Sequence, residues 1–448
     1  MSFHILGRRV VIIDKPSVAE DLLTRRALIY SDRHFPPMGG ELMKREHNMF
    51  YIAYNDRFKT YRRLLHREFN PSAVKNFWST QQSEARSLVS NICQADSENL
   101  FVCVQRAAAS LIMKISFGYT IDNDNDHFVF LAESSLKLAY LAGAPGRWLV
   151  DSFPILRFLP DWFPGADFKR KAKIWGRKLD NLSIEPHHWA QKQMVSGTAE
   201  PSFTSRLLNL DDERERSPDY DDIVRHTAGS LYAAGVDTLA ASMKVFFYAM
   251  TCNPEIQRKA QEEVDSVTSA ERRLPTLEDR ASMPYLECIL KEVLRWAPPA
   301  PMGLAHCSSS DDVYKGYFIP AKTSVYANIW AMTHDEDEYP DPYLFNPDRF
   351  LAKEGERQQK DPRGLVYGFG RRLCPGSHFA EFYLFIQMAT CLAILDVFKD
   401  VDCNGVCIDP KAEFSTGLTT HMAPFPCIVK PRSRDSLAMI QNDHIASC

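Results

Sequence analysis

The stretch Tyr367-Gly368-Phe369-Gly370-Arg371-Arg372-Leu373-Cys374-Pro375-Gly376 places one cysteine in a glycine-rich turn directly before an apolar segment with helical character. Glycines let backbone N–H groups approach the sulfur, and the start of a helix adds positive potential. Arg371 and Arg372 add formal charge, so we expect these surroundings to favour the thiolate over the thiol. A single cysteine is usually just a small buried hydrophobic residue. This combination instead predicts that Cys374 binds a metal.

A second group of residues lies in the middle of a long helix predicted from Asp219 to Thr251, at Ala234-Gly235-Val236-Asp237-Thr238. An acid and a hydroxyl are poor choices for plain packing at such a position. A mid-helix threonine often only donates its hydroxyl to a carbonyl one turn earlier, which is the simplest interpretation of Thr238. Glycine also weakens a helix, so its presence at this point needs a reason.

Both segments resemble signature motifs of the cytochrome P450 family. The decapeptide is similar to the haem-binding signature aromatic-Gly-x-Gly-x-Arg-x-Cys-x-Gly, with Tyr367 where the family usually has phenylalanine. The resemblance implies that Cys374 is the axial ligand of haem b, where a thiolate favours O–O cleavage. The helical segment resembles the oxygen-activation groove, in which Asp237 and Thr238 would relay protons. By this resemblance Gly235 would leave room for oxygen and water.

The spacing of Glu292 and Arg295, three residues apart on one predicted helix, suits an ion pair on one helical face. Most such pairs are solvated and weak. In the family that this chain resembles, a Glu-x-x-Arg pair is joined by an arginine from a downstream Pro-x-Arg-Phe segment, and Arg349 stands at that position here. The resemblance therefore implies a buried group of three residues that fixes the loop presenting Cys374.

The haem propionates need cationic or hydrogen-bonding partners. The segment from Asp56 to Arg62 resembles the family's Trp-x-x-x-Arg helix, which makes Arg62 a candidate, with His306 and Arg372 as the others. A solvated basic helix face is the alternative interpretation of Arg62. Phe58 stands where the family has tryptophan and cannot donate a hydrogen bond, so we expect weaker haem retention.

The whole chain is predicted to be mainly α-helical with a smaller β portion, an α+β protein with the cytochrome P450 fold. No linker and no internal repeat divides the sequence, so residues 1–448 are expected to form one large domain. The β portion is predicted from about 1–35, 313–327 and 406–429. Microsomal fungal members usually begin with an anchor and a Pro-rich hinge, so by resemblance the domain is expected to be incomplete at its N-terminus.

Three local predictions follow from periodicity and turn residues. The run Arg9–Ile13 is predicted to be a strand close to the start of the chain, with an uncovered edge. Val313–Ile319 and Ser324–Ala327 are predicted to form one hairpin around a Pro-Ala-Lys turn. The segment Ser377 to Phe398 is predicted to be the helix that follows the cysteine turn.

Charge and cysteine content exclude other functions. The formal net charge is -4 and the cationic residues are scattered, so nucleic acid is not an expected partner. The 11 cysteines include no Cys-x-x-Cys pair, which argues against a disulfide framework and against a zinc ribbon. Cys403 and Cys407 are close in sequence, and the favoured interpretation is an ordinary hairpin.

The resemblance implies a haem-thiolate monooxygenase that inserts one oxygen atom from O2 into a hydrophobic small molecule of terpenoid, steroid or polycyclic aromatic type. It further implies a role in fungal secondary metabolism or xenobiotic oxidation, with electrons from NADPH-cytochrome P450 reductase and cytochrome b5 as a second electron donor. The implied location is the cytosolic face of the endoplasmic reticulum membrane. Since no apolar run is long enough to span a bilayer, the expected membrane contact is peripheral.

Two alternatives remain at this point. The chain could be a family member that rearranges peroxides or dehydrates its substrate without external electrons, although the pair Asp237 and Thr238 argues against this. It could also be a haem-binding protein without turnover, which fits the expected N-terminal truncation and Phe58. The substrate region is expected, by resemblance, near Ala233 and Ala234, Met302 to Leu304, and Leu418 with Thr419.

Overall fold

The computed structural model describes residues 1–5, 8–95, 99–121, 126–144, 146–209, 217–352 and 358–446. Helices predominate and strands are few and short, in agreement with the predicted fold class. The helices are α1 (Pro16–Ala19), α2 (Ala27–Tyr30), α3 (Asp56–Phe69), α4 (Trp78–Gln94), α5 (Leu100–Phe117), α6 (His127–Gly143), α7 (Leu149–Ser152), α8 (Asp167–Ser196), α9 (Phe203–Leu208), α10 (Tyr220–Cys252), α11 (Pro254–Thr268), α12 (Pro284–Trp296), α13 (Ile329–Thr333), α14 (Arg363–Val366), α15 (Ser377–Ile394) and α16 (Arg434–Ala446).

The long helix α10 runs through the centre of the fold and packs along α5. It ends where Asn253 adopts a non-helical conformation, because Pro254 cannot continue α10 and instead begins α11. The side chains of α10 face the core along most of its length, as do those of α5 and α15. These three helices therefore form the framework on which the candidate site is built.

The largest sheet has five strands in the order β1-β2-β7-β4-β3. They are β1 (Ser2–Ile5), β2 (Arg8–Ile13), β3 (Asp32–Arg33), β4 (His306–Cys307) and β7 (Ser324–Ala327). Strand β2 pairs with β1 on one edge and in parallel with β7 on the other. The expectation that the first predicted strand has an uncovered edge is therefore wrong.

The predicted hairpin is also wrong in its pairing. The actual hairpin is tighter and joins β5 (Asp312–Tyr314) to β6 (Tyr317–Ile319), with Gly316 in the turn at a φ of 83°. After this hairpin the chain forms β7, which lies between β2 and β4 in the large sheet. A turn signal fixes where the chain reverses, but the core decides which distant strand pairs with β7.

The C-terminal β portion is smaller than predicted. Helix α15 ends at Ile394, and the following residues form β8 (Leu395–Lys399), which pairs with β9 (Cys427–Pro431). Between these strands the described structure has two isolated bridges, one of which joins Val401 and Cys407. Cys403 and Cys407 are both free and exposed at this turn, which agrees with the hairpin interpretation.

Two helices, α5 and α15, are long and apolar enough to cross a membrane by length and composition. This differs from the expectation that no segment is long enough. In each case most of the apolar window lies inside the fold, 67% and 72% respectively. Such burial is typical of helices in a protein core, so their length is weak evidence for a membrane span.

Candidate functional site

Cys374 lies in a turn between a short helical segment, Gly370–Arg372, and the start of α15. Its backbone N–H donates to the carbonyl of Tyr367 at 2.8 Å, which closes the turn. Burial raises the pKa of the Cys374 thiol, although a backbone hydrogen bond from Gly376 and the charge of Arg62 act in the opposite direction. Burial therefore acts against the expected preference for the thiolate, whereas the Gly376 hydrogen bond and the Arg62 charge act for it. Deprotonation would accompany metal binding, since a thiol must lose its proton to become a ligand.

The arginines of this turn do not direct their charge at the sulfur. The Arg371 guanidinium lies over the Tyr54 ring, 4.8 Å from its centroid. The Arg372 side chain donates to the carbonyls of Ser31 and Ile52, both at 2.7 Å. The two guanidinium groups thus interact with backbone carbonyls and an aromatic ring. Burial remains the largest influence on the pKa of the Cys374 thiol.

Gly370 is required by a close backbone approach. Its φ is 55°, and a Cβ atom at this position would lie 2.1 Å from the carbonyl oxygen of Leu23. No side chain fits there without moving the backbone of the helical segment Glu20–Arg25, which contains Leu23. The glycine therefore fixes the cysteine turn against that segment, a role different from the predicted access of N–H groups to the sulfur.

Glu292, Arg295 and Arg349 form the buried group that the sequence predicted. The Glu292 carboxylate accepts from Arg295 Nε at 2.7 Å, from Arg295 Nη2 at 2.8 Å and from Arg349 Nε at 3.1 Å. Glu292 and Arg295 are fully buried. The two arginines also donate to the carbonyls of Pro342 and Pro340, both in the passage that precedes the cysteine turn.

The direct link between α12 and the cysteine turn is a second ion network that the sequence reasoning did not find. Arg363 Nη1, on α14 just before the turn, donates to Glu287 Oε1 at 2.7 Å and to Glu381 Oε2 at 2.8 Å. Glu287 lies on α12 and Glu381 on α15. Arg280 contacts the same two carboxylates. This network ties the segments before and after Cys374 to the same helix.

The predicted propionate partners lie in one region of the fold. Arg62 Nη1 donates to the carbonyl of Leu373 at 2.6 Å, next to Cys374. His306 is buried, and its Nδ1 lies 2.7 Å from the carbonyl oxygen of Tyr30. Burial, together with the nearby charges of Arg33 and Arg372, lowers the pKa of His306 to about 3. Two arginines, Arg33 and Arg372, thus place positive charge close to His306.

Arg33 is the additional member that the sequence analysis missed. Its strand β3 pairs with β4 and places Arg33 beside His306. Burial and the charge of Arg372 lower the pKa of Arg33 to about 9, and burial lowers that of Arg372 to about 10. Only the pairing of β3 with β4, across more than 270 residues of sequence, brings Arg33 to this place, so no local signal could have found it.

These cations fit an anionic cofactor. Within the described part of the chain, the guanidinium groups of Arg33, Arg62 and Arg372 form no ion pair with a carboxylate, and Asp32 acts on Arg372 only through its charge. The buried Arg33 Nε also has no hydrogen-bond partner. A buried cation without a counter-ion is costly. Two propionates would supply the missing negative charge, so the residues present fit haem.

Phe58 has a packing role in this region. It is buried, and the Arg372 guanidinium lies over its ring, 3.7 Å from the centroid. A ring in this position stabilises the cation although it cannot donate a hydrogen bond. Phe58 therefore supports a candidate propionate partner where the sequence predicted only the loss of a donor.

The central part of α10 keeps a partly accessible face although its flanks are buried. Ala234 and Thr238 are both partly accessible one turn apart, and Cys374 is partly accessible as well. The Thr238 hydroxyl donates to the Ala234 carbonyl at 2.9 Å, which is the simple helix-bonding interpretation. This bond uses the hydroxyl proton and leaves the oxygen free to accept another hydrogen bond.

Gly235 does not open room beside this face. A Cβ atom on Gly235 would lie 2.7 Å from Cδ1 of Ile112 on α5. The missing side chain therefore allows close packing of α5 against α10, which corrects the expectation that it makes space for oxygen and water. Gly235 is itself partly accessible, as are Ala234 and Thr238.

The Asp237 side chain contacts a histidine from the C-terminal part of the chain. Its Oδ2 lies 3.0 Å from Nε2 of His421, and the two side chains are 19% and 27% exposed. Neither the helix periodicity nor the family motif pointed to His421. Leu418, expected to line the substrate region, is 55% exposed at the tip of the loop that leads to His421.

Comparisons with known proteins agree with this arrangement. The family model described as Cytochrome P450 matches residues 1–425. A relative from Ampulloclitocybe clavipes, cytochrome P450 monooxygenase claR, is 39% identical over 99% of this chain and 82% of its own length. The tryptamine 4-monooxygenase of Psilocybe cyanescens is 36% identical over 97% of this chain and 86% of its own. A zebrafish cytochrome P450 structure with abiraterone superposes with a TM-score of 0.76 at 20% identity, covering 97% of this chain and 96% of the other.

The chain therefore belongs to the cytochrome P450 family. Within that family it is a monooxygenase, an oxidoreductase that incorporates oxygen from O2, and its cofactor is haem with a cysteine axial ligand. The fold and cofactor that the sequence predicted are thus confirmed. Family membership also indicates that the enzyme receives electrons from a redox partner.

Proposed function

We propose that Cys374 is the haem ligand and that the enzyme inserts one oxygen atom from O2 into a hydrophobic small molecule. The observation that carries this proposal is the accessible face around Ala234 and Thr238 in the middle of a buried helix. Residues that remain accessible inside a core border an internal space, and the partly accessible Cys374 borders one as well. Haem bound by a thiolate supplies the oxygen-activating chemistry.

The three arginines and the neutral histidine of this region have a distinct role in this proposal. Arg33, Arg62, His306 and Arg372 hold the propionates, which sets the orientation of the cofactor relative to Cys374. Their support is that, among the described residues, the three arginines form no ion pair with a carboxylate and burial lowers the pKa of each. Because Arg62 also contacts the carbonyl next to Cys374, it would join the propionate side of the cofactor to the ligand turn.

Asp237 and Thr238 move the protons in this proposal. The Asp237 carboxylate is partly exposed on one side of α10, and the Thr238 oxygen keeps acceptor capacity beside the partly accessible Ala234. A carboxylate can take up a proton from the outside and a hydroxyl can pass one on, so the pair suits proton delivery. Loss of either group would slow proton transfer without removing haem.

The substrate is proposed to be an apolar compound of terpenoid, steroid or polycyclic aromatic type. The support is the small or apolar character of Ala233 and Ala234 and of the segment Met302–Leu304. Hydrophobic contacts discriminate weakly between similar shapes, so these residues favour a class of compound and no single one. The fungal relatives support a role in secondary metabolism.

The proposed location is the cytosolic face of the endoplasmic reticulum membrane, with NADPH-cytochrome P450 reductase as the electron donor. The support is an apolar surface formed by residues 149–163, in which Ile155 is 75%, Phe158 72% and Trp162 81% exposed. Exposed apolar patches of this kind mark interaction sites. Flotation with phosphatidylcholine vesicles checks this: the double variant Phe158→Asp and Trp162→Asp should float less than the parent protein, and equal flotation would contradict it.

The experiment that tests the function combines the haem-loaded enzyme with reductase and NADPH and screens a panel of terpenoids, steroids and polycyclic aromatics. We expect NADPH consumption to rise with at least one compound and an oxygenated product to form. A product formed from a hydroperoxide without NADPH would instead support the peroxide-rearranging alternative. Haem binding without NADPH consumption or product would support a protein without turnover.

A further inference from the structure

His421 has no role in the function proposed so far, yet it contacts a residue that does. The segment from Ser415 to His421 is a closed loop, in which the Ser415 N–H donates to the His421 carbonyl at 2.8 Å and the His421 N–H donates to the Ser415 hydroxyl at 3.0 Å. A bridge between Phe414 and Met422 closes the loop base. His421 is therefore held in place by its own backbone.

The same loop contacts two other parts of the fold. The Thr420 N–H donates to the carbonyl of Pro299 at 2.8 Å. At the loop tip, a Cβ atom on Gly417 would lie 3.1 Å from the Tyr140 ring on α6. These contacts fix the loop across the fold, and His421 extends from it to α10.

The contact with Asp237 is specific. Among the described residues, the His421 ring makes the only side-chain hydrogen bond to the Asp237 carboxylate. The next charged group that acts on Asp237 is Lys244, two turns along α10, whose ammonium lies 3.4 Å from the Gln105 side chain and over the Phe101 ring. His421 thus contacts the Asp237 carboxylate directly, whereas Lys244 acts on it only through the electrostatic interaction of the two charges.

We propose that His421 is a positioning residue for Asp237: its ring holds the carboxylate in the orientation that accepts protons for the site. A free aspartate on a helix samples several rotamers, and a hydrogen bond from a fixed loop selects one of them. This inference rests on the proton-relay role proposed for Asp237. It adds a residue that neither the family motif nor the haem region contains.

The test uses the haem-loaded enzyme with reductase and NADPH, and the probe is O2 itself, because O2 is reduced to peroxide or to water even without an organic substrate. His421→Phe removes the hydrogen bond, whereas His421→Gln keeps a side-chain N–H donor. We expect His421→Phe to slow O2 consumption by between about threefold and 100-fold and to raise the solvent deuterium isotope effect. His421→Gln should stay within about twofold of the parent. His188→Gln, at an exposed site on α8, is the matched control and should change neither quantity.

A second measurement does not depend on turnover. Diethyl pyrocarbonate acylates histidine rings, and mass spectrometry reports the rate at each residue. We expect His421 to react more slowly than the exposed His188, and Asp237→Ala, which removes the acceptor, to speed the reaction of His421 without changing that of His188. Equal rates at His421 in the parent and in Asp237→Ala would show that the contact does not form.

The outcomes separate the two proposals. If Asp237→Asn leaves the rate of O2 consumption and the isotope effect unchanged, the relay role of Asp237 fails. If Asp237→Asn lowers the rate but His421→Phe does not, only the positioning role of His421 fails. A double variant that equals Asp237→Asn alone supports action through Asp237, and a double variant with a multiplied loss overturns it.

Discussion

Replacement of Glu292 by alanine is expected to be the most damaging single change to the folded protein. The Glu292 carboxylate accepts four hydrogen bonds, of which the fourth, at 2.8 Å, comes from the backbone N–H of Asn346. Its removal leaves Arg295 and Arg349 as buried cations without their carboxylate. Arg295 is fully buried, and Arg349 is 8% exposed. Breaking a buried ion pair costs about 3 to 5 kcal/mol, and the unpaired N–H of Asn346 adds about 1 to 3 kcal/mol.

A loss of about 4 to 8 kcal/mol is comparable with the whole stability of a typical protein, about 5 to 15 kcal/mol. We therefore expect Glu292→Ala to yield little haem-bound protein. The assay is the amount of haem-bound protein, measured from the spectrum with reductant and carbon monoxide, together with the urea midpoint followed by tryptophan fluorescence. Glu292→Gln keeps the side-chain shape and one oxygen acceptor, so it should lie between the parent and Glu292→Ala.

The matched control is Glu262→Ala on α11. Glu262 pairs with Arg258 one turn away, but the two side chains are 63% and 69% exposed. An exposed pair of this kind contributes about 1 kcal/mol or less, so the control should keep a nearly normal yield and midpoint. The reasoning is refuted if the urea midpoint and the haem-bound yield of Glu292→Ala are no lower than those of Glu262→Ala. The buried carboxylate would then contribute no more to stability than an exposed one.

Three further predictions concern the ligand, the proton path and the response to pH. Cys374→Ala should abolish the red-shifted Soret band of the reduced, carbon monoxide-bound protein, whereas Cys403→Ala should keep it; survival of the band without Cys374 would disprove the ligand assignment. Thr238→Ala should retain haem but form more peroxide per NADPH oxidised, because proton delivery is impaired while electron supply is not, and an unchanged ratio would reduce Thr238 to its helix hydrogen bond. Burial and the charge of Arg8 lower the pKa of His34 to about 4, and Arg8 Nη1 lies 2.9 Å from His34 Nε2. Since the unfolded state takes up this proton at a higher pH than the folded state does, the His34 contribution should lower stability as pH falls from about 6.5 towards 4. Urea midpoints across this range should fall less steeply for His34→Gln, and an equal slope would contradict the assignment.

The sequence by itself determined the features that depend on neighbours along the chain. The helix predicted from Asp219 to Thr251 corresponds to α10, and the helix predicted to follow the cysteine turn begins at Ser377, as α15 does. The decapeptide around Cys374 predicted a ligand turn because its glycines, arginines and cysteine lie within ten consecutive residues. Glu292 and Arg295 could be paired from their spacing because three residues on a helix bring two side chains to one face.

Only the tertiary structure decided the contacts between residues far apart in the sequence. Strand β7 pairs with β2 across more than 300 residues, and the β3–β4 pairing brings Arg33 beside His306. His421 contacts Asp237 across 184 positions. The space beside the Cα atom of Gly235 is likewise filled by the side chain of Ile112, a residue of the distant helix α5. Local patterns specify the period and the ends of an element, but packing of the complete core selects its partners. These distant contacts bring Arg33 to the candidate haem site and His421 to Asp237.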